Sequence, residues 1–435
     1  MEWFEALALL LGMVLGLMML GTPVALAFLG ANIVGAYIFM GGERGIGQLI
    51  NNGFGAMTNF ALVPIPLFLL MGELFFHTGL ATKVFNGVDK LMGLVPARLS
   101  YVTVGGGTAF ATLSGSSMGS TALLGSLMLP EMLKRGYSKL MAIGPILGTG
   151  GLAIIIPPSA LAVLLATFAR IDVGALLIAG VIPGLILAGF YAALIFVLAK
   201  LNPGSAPTYD LEPMALGVRL RIFIADLMPM IAVVILVITV MVTGWATPTE
   251  AAAFGCFGVV VLAAVYRCLT VRAFVAACRG ALKVTLMAFL IIFGSATFSQ
   301  LLAFSGASSG FIGWATSLDA GPYVMLGVMF LILLLLGMFM DQLSMMLLTV
   351  PIFFPLASQL GFDPIWFGLI VLLALEISFT TPPFGLLLFV MKGVAPPGTT
   401  MREIYVAGFP FILCIFALVG LLVLFPQIAL FLPNL

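Results

Sequence analysis

Apolar residues fill this chain in long runs, and polar positions fall between the runs or at a few breaks inside them. About 20 consecutive apolar residues cross the ~30 Å hydrocarbon core of a bilayer, so the runs predict membrane-spanning helices. The first half has candidates near 4–21, 24–41, 59–78, 140–169 and 174–199. The second half has them near 224–243, 249–266, 284–304, 363–393 and 404–430. The stretch ATLSGSSMGSTALLGSLMLP, residues 111–130, interrupts the pattern, because Ser114, Gly115, Ser116 and Ser117 set three hydroxyls and a glycine inside an apolar segment. The arms on either side, 99–113 and 117–131, each supply about 15 residues, or ~22 Å of helix, which is short of a crossing.

Charge orients these elements. The positive-inside rule places Lys83, Lys90, Arg98, Lys134, Arg135 and Lys139 in the cytoplasm, so the chain between Arg98 and Lys134 leaves and returns on one side. A re-entrant helical hairpin is expected over about 97–133, with its tip at the serine cluster.

The same landmarks occur twice. Thr22-Pro23 and Thr247-Pro248 each precede a span rich in small residues, and GSSMGSTALLGSLMLP (115–130) aligns with LGMFMDQLSMMLLTVP (336–351). Each of these is followed by a span broken at a double proline, Pro157-Pro158 or Pro382-Pro383. The expected domains are a first repeat over 1–200, a cytoplasmic linker over 201–223, and a second repeat over 224–435 with its hairpin at about 321–355. Five crossings per repeat invert the second relative to the first. With the N-terminus outside, only Arg44 and Arg170 of the 17 Lys and Arg lie on the outer face. The expected fold class is an all-α polytopic membrane protein of two inverted-topology repeats, each with a re-entrant helical hairpin and a broken helix. Residues 267–283 read as a separate interfacial amphipathic helix carrying Arg272, Arg279 and Lys283, with 41–57 as a weaker counterpart.

Composition agrees. Of the 435 residues, 63% are hydrophobic and 8% charged, with a mean hydropathy of +1.28, against about 25% charged in soluble domains. A net charge of +1 suggests no nucleic-acid partner; lipid is the expected surroundings. The four cysteines have no CxxC spacing and suggest neither a metal site nor a disulfide framework. The acidic-flanked N-terminus, MEWFEALALLLGMVLGLMML, reads as a retained first span and not as a cleaved signal.

Irregular backbone inside a bilayer survives only around a protein-lined or water-lined cavity. Four breaks are expected: Ser114–Ser117, IIPPS (155–159), the turn near Gly337 and Asp341, and TTPPFG (380–385). A lone double proline is more often a kink than a site, whereas four breaks at corresponding places in two repeats point to transport. Proline frees carbonyl oxygens that suit a small cation, and helix N-termini just past each break favour an anion. Glu73, His77, Asp341 and Glu376 are the ionisable residues within the spans, and such residues are functional candidates. Asp341 is the candidate to neutralise a bound cation. Glu73 and His77 share a helix face and read as a simple pair or a proton relay. A rival class rests on Gly115-Ser116-Ser117-Met118-Gly119, a formal G-x-S-x-G, which would make Ser117 a nucleophile and His77 its base. That elbow needs a strand, which a membrane helix does not supply. A channel is a third reading.

GWATPTEAAAFG (244–255), SGSSMGSTALLGSLMLPEM (114–132), IIPPS (155–159), GMFMD (337–341) and TTPPFGLLLF (380–389) together resemble the large (M, DctM-like) membrane subunit of tripartite ATP-independent periplasmic (TRAP) transporters, within the ion transporter superfamily. The resemblance covers the whole chain. It implies import of an organic acid by sodium symport across the bacterial inner membrane, with an elevator-type motion of a transport domain (about 97–199 and 321–430) against a scaffold (4–41 and 224–266). It also implies two partners, a small four-span membrane subunit and a soluble periplasmic substrate-binding protein. The chain begins at the large subunit's first span, so the small subunit is expected as a separate polypeptide. A multi-pass protein with a periplasmic N-terminus follows. Carried over, one sodium site uses Ser114, Gly115, Ser116 and Ser117 with Ile156, Pro157, Pro158 and Ser159. The second uses Gly337, Asp341, Thr380, Thr381 and Pro382, and substrate contacts fall to Ser116, Ser117 and Thr381. No intramembrane Arg or Lys is expected at the substrate, so hydroxyls, helix dipoles and sodium carry an acid's charge. A stand-alone sodium- or proton-coupled anion symporter is the alternative.

Overall fold

A computed structural model describes residues 1–91, 95–114, 117–207, 216–317, 320–337, 340–382 and 385–434, with backbone alone at 109, 111–114, 216 and 219. Gly115 and Ser116 of the first tip lie outside the described residues, as do Met338, Phe339, Pro383 and residues 208–215 of the linker.

The described regular structure is helical. The first half runs α1 (Trp3–Met19), α2 (Val24–Phe39), α3 (Glu43–Met57), α4 (Pro64–His77) and α5 (Leu80–Leu91). It continues with α6 (Arg98–Ser114), α7 (Ser117–Lys134), α8 (Lys139–Ile155), α9 (Ala160–Ala169), α10 (Val173–Ala179) and α11 (Val181–Leu201). The second half opens with α12 (Leu216–Ile222), which passes through a π-turn into α13 (Met228–Val242), then α14 (Pro248–Val265), α15 (Val271–Phe304) and α16 (Ala307–Ser317). It closes with α17 (Pro322–Gly337), α18 (Gln342–Gln359), α19 (Pro364–Thr380), α20 (Leu386–Val394), α21 (Met401–Leu424) and α22 (Gln427–Leu430).

Local chemistry sets many of these ends. Thr247 and Glu250 form a reciprocal capping box with Pro248 at the first helical position, and Thr400 and Glu403 form another. Ser138, Ser159, Asp341 and Asp363 each cap the following helix through a side-chain oxygen.

Ten crossings were expected, and the observed count is lower. Among the described residues, 7 helices are long and apolar enough to cross a membrane, or 8 when α8 and α9, bent by 42° at their break, count as one span. The rest are shorter: α1 and α2 have 17 and 16 residues, about 24–26 Å, and fall just under a crossing, and the span expected over 363–393 is divided between α19 and α20. The stretch of the first expected hairpin holds α6 and α7, which pack on each other, and its tip at Gly115 and Ser116 lies outside the described residues. In the second, α18 has 18 residues and is itself long enough to cross.

The separate interfacial helix at 267–283 is also corrected. Thr270 caps a single unbroken helix of 34 residues, about 51 Å, because nothing between Lys283 and Val284 interrupts it. Its single glycine in that stretch, Gly280, serves close approach: a Cβ there would lie 2.4 Å from Glu73 Oε2 on α4. Within 41–57, Glu43–Met57 forms a helix, α3.

α15 joins α2, α3 and α4 into one block, with Phe28 packed edge-on against Phe298 at 5.2 Å and the Asn32 amide donating to the Gly294 carbonyl. The opposite block centres on α8 and α19. Every residue of α8 from Met141 to Ile155 and of α19 from Trp366 to Thr380 is buried. Helices apolar and enclosed all round form the interior of a large assembly. Both stop at predicted breaks, α8 at Ile155 and α19 at Thr380.

Candidate functional site

Three helix starts meet at one cavity of about 330 Å³ between these blocks. Ser117 and Met118 begin α7, Ala160 begins α9, and Asp341 with Gln342 begins α18; Phe379, near the end of α19, completes that wall. Facing them are apolar side chains of α4 and α15. Unpaired N–H groups and the positive ends of helix dipoles make such starts favourable to an anion. In the same space stands the Asp341 carboxylate. Its Oδ2 accepts from the amides of Leu343 (3.1 Å) and Ser344 (3.2 Å), and its Oδ1 accepts from the Ser344 hydroxyl. Asp341 is therefore a capping residue as well as the negative charge the sequence suggests for cation binding.

Of the first proposed set, Ser117 and Ser159 are buried and placed at neighbouring helix starts. Ser159 Oγ accepts from the Ala162 amide (3.3 Å), and Ile156 is the extended residue that ends α8. Pro157 and Pro158 fill the break between the two helices. The Ile155 carbonyl just before this break packs on Gly180, where a Cβ would come within 2.1 Å of the oxygen. Ser114 closes α6.

Of the second set, Gly337 ends α17 against Ser378 of α19, leaving 2.1 Å between an added Cβ and Ser378 Oγ. Thr380 and Thr381 turn their hydroxyls back on their own helix, Thr380 toward the Glu376 and Ile377 carbonyls (3.0 Å each) and Thr381 toward Ile377 (2.5 Å). Phe379, not Thr381, lines the cavity on this side. Thr381 and Pro382 lie in the break, where Gly385 brings the Phe379 and Thr381 carbonyls within 2.8 Å of its own Cβ position. The breaks thus gather carbonyl and hydroxyl oxygens, the ligand type a hard cation takes.

Sequence reasoning assigned no role to the connection between the two sets. Glu376 is fully buried in α19, and its Oε2 lies 3.0 Å from Ser117 Oγ while accepting from Gln342 Nε2 at 2.9 Å. Ser117 Oγ also donates to the Gly150 carbonyl at 2.8 Å. A carboxylate in an apolar span was the visible signal. Its partners had none, because Gln342 reads as an ordinary polar residue.

His77 pairs with Glu73 at 3.2 Å, as their spacing on one helix face allows, and the described hydrogen bonds of Ser117 go to Gly150 and Glu376. The Ser–His hydrolase arrangement does not form.

The central cavity has a neighbour on each side along α15. Along α15, Val284 lines it together with a third cavity of about 370 Å³ that also holds Glu73 and Phe76 of α4. Toward the other end of α15, Ile292, Ser295, Ser299 and Gln300 line a cavity of about 410 Å³ that also includes Leu62, just before α4. The three follow one another along α15, from Val284 to Gln300.

A family model described as "Tripartite ATP-independent periplasmic transporter, DctM component" matches residues 11–428. The C4-dicarboxylate TRAP transporter large permease protein DctM of Pseudomonas aeruginosa is 31% identical over 385 residues, 88% of each chain. The sialic acid TRAP transporter large permease protein SiaM of Vibrio cholerae is 28% identical over 425 residues, 97% of each. Among solved structures, the YdaH transporter of Alcanivorax borkumensis superposes with a TM-score of 0.63 at 14% identity, covering 89% of this chain and 90% of that one, a likeness of fold.

Proposed function

This chain belongs to the DctM-component family of TRAP transporters, a multi-pass bacterial membrane permease and not an enzyme, and from that premise we propose that it imports an organic acid by sodium symport. The observation that carries the proposal is the meeting of three helix starts, one of them capped by a carboxylate, at a single cavity between two blocks of helices.

Helix starts and hydroxyls attract the acid, while the Asp341 carboxylate and the oxygens at the breaks attract sodium. One sodium site takes Ser114–Ser117 with Ile156–Ser159, and the other takes Gly337, Asp341, Thr380, Thr381 and Pro382. Sodium between carboxylate and substrate offsets the repulsion of two negative charges in a low-dielectric site. Substrate binding then depends on sodium, which is the thermodynamic condition for symport. The acid falls in the class of dicarboxylates, keto acids or sialic acids, arriving from a periplasmic binding protein, with a small four-span membrane subunit as a separate chain.

The architecture of the proposal is two inverted repeats with hairpins at 97–133 and 321–355, a periplasmic N-terminus, and an elevator displacement of the α8–α19 block along α15. Discontinuous helices whose ends point at a midplane site are the general construction of secondary transporters.

Thermal unfolding of the purified chain in detergent tests the sodium assignment, with sodium compared against potassium and choline at constant ionic strength. A ligand confined to the folded state stabilises by about 2.7 kcal/mol at a hundredfold excess over Kd. A sodium-specific rise in Tm is expected. Equal Tm in all three cations removes sodium from the proposal.

A further inference from the structure

The cavity of about 410 Å³ that includes Asn52 differs in chemistry from the other two. Its polar lining includes Asn51, Asn52 and Asn59, Ser299 and Gln300 of α15, and Arg170 at the end of α9. Among the described residues that line it, none is Asp or Glu. The Asn52 side-chain amide donates to Gln300 Oε1, which ties α3 to α15 and leaves the Gln300 N–H group available to a ligand.

Arg170 is exposed and forms no salt bridge among the described residues. The acid nearest in sequence, Asp172, is occupied as the cap of α10, accepting from the Ala175 amide. Arg170 also holds a left-handed backbone, φ 55° and ψ 39°, at the C-cap of α9. Glycine or asparagine fills that position at lower conformational cost. Ala97 and Arg267 hold the same left-handed backbone, so the conformation assigns no use by itself; what sets Arg170 apart is a guanidinium without a salt bridge among the described residues beside a polar cavity.

We infer that this cavity is a first binding station for a small carboxylate-bearing solute, upstream of the central cavity. The inference rests on the permease reading above, in which Arg170 lies on the outer face. Guanidinium matches carboxylate geometry with two parallel hydrogen bonds. The side-chain amides and Ser299 both donate and accept, so they suit hydroxyl, keto or amide groups on the rest of the molecule. The volume falls within the usual 300–1,000 Å³ of small-molecule sites. Ala288 of the central cavity and Ile292 of this one are a single helical turn apart on α15, so a solute released here has a short path. The station favours polar carboxylates over cations and over hydrocarbon acids.

The test follows modification of Arg170 by phenylglyoxal in the purified full chain, read by peptide mass spectrometry, without sodium. Succinate, pyruvate and N-acetylneuraminate serve as probes, with choline and octanoate as controls. At least one probe is expected to slow modification about tenfold at roughly ten times its Kd, by simple occupancy, while the controls do not. Gln300→Leu and, separately, Ser299→Ala should weaken that protection without changing the unprotected rate. Either variant suffices if the other fails to fold. The inference is overturned if none of the three carboxylates protects Arg170, or if protection is undiminished in both variants. The sodium-dependent Tm, measured on the same preparation, reports separately on the symport proposal.

Discussion

Ser117 Oγ and Glu376 Oε2 stand 3.0 Å apart although 259 residues separate them in the chain. Gln342 reaches the same oxygen from the start of α18, so one buried carboxylate receives the beginnings of two helices that both face the central cavity. A shift at either helix start is therefore felt at the other through Glu376.

Glu376→Leu should destabilise the chain by about 1–3 kcal/mol, the cost of leaving the buried Gln342 amide unsatisfied. Glu376→Gln, which keeps an acceptor oxygen, should lose less. Denaturant unfolding in detergent checks both, and equal losses would show that charge matters here more than hydrogen bonding.

Asp341→Ala removes a helix cap along with a charge, while Asp341→Asn removes the charge alone. The first should cost about 0.5–2 kcal/mol and the second only a few tenths, since asparagine caps as well as aspartate. Both should abolish the sodium-specific rise in Tm. A full sodium response in Asp341→Asn would place the cation elsewhere.

Gly180→Ala drives a methyl into the Ile155 carbonyl at the α8 break, a backbone atom that cannot rotate away. A loss of about 1–3 kcal/mol is expected from overpacking, with a weakened sodium response. Gly189→Ala on α11, where nothing lies within 4 Å, is the control and should be neutral or stabilising by up to about 1 kcal/mol.

His77→Gln should leave sodium-dependent uptake within about twofold of the parent, because a half-exposed pair with Glu73 contributes little. Uptake reconstituted with the family's partner proteins measures it. Loss of uptake would revive the proton-relay reading of Glu73 and His77.

Much of this molecule is legible along the chain. The apolar runs mark where helices lie in lipid, and Thr247-Pro248 marks where one starts; Ser159 and Asp341, read from sequence as cation ligands, proved to be caps as well. The double prolines mark the breaks, because a missing N–H interrupts helical pairing wherever it occurs. These effects act over one helix or one turn, so residue order alone determines them. Element lengths were harder. α15 runs unbroken through a charged-to-apolar transition that looked like a boundary, and α1 and α2 stop short of a full crossing.

The tertiary structure alone decided which polar groups meet. Nothing in the order of residues pairs Ser117 with Glu376, sets Gln342 beside them, or brings Arg170 to the amides of α3 and α15. Such contacts depend on how helices dozens or hundreds of residues apart pack, and glycines such as Gly180, Gly280 and Gly337 show where that packing is tightest. Hydropathy and backbone pairing are local and can be read from sequence. The site is a sum of long-range contacts, each set by the close packing of side chains from separate helices.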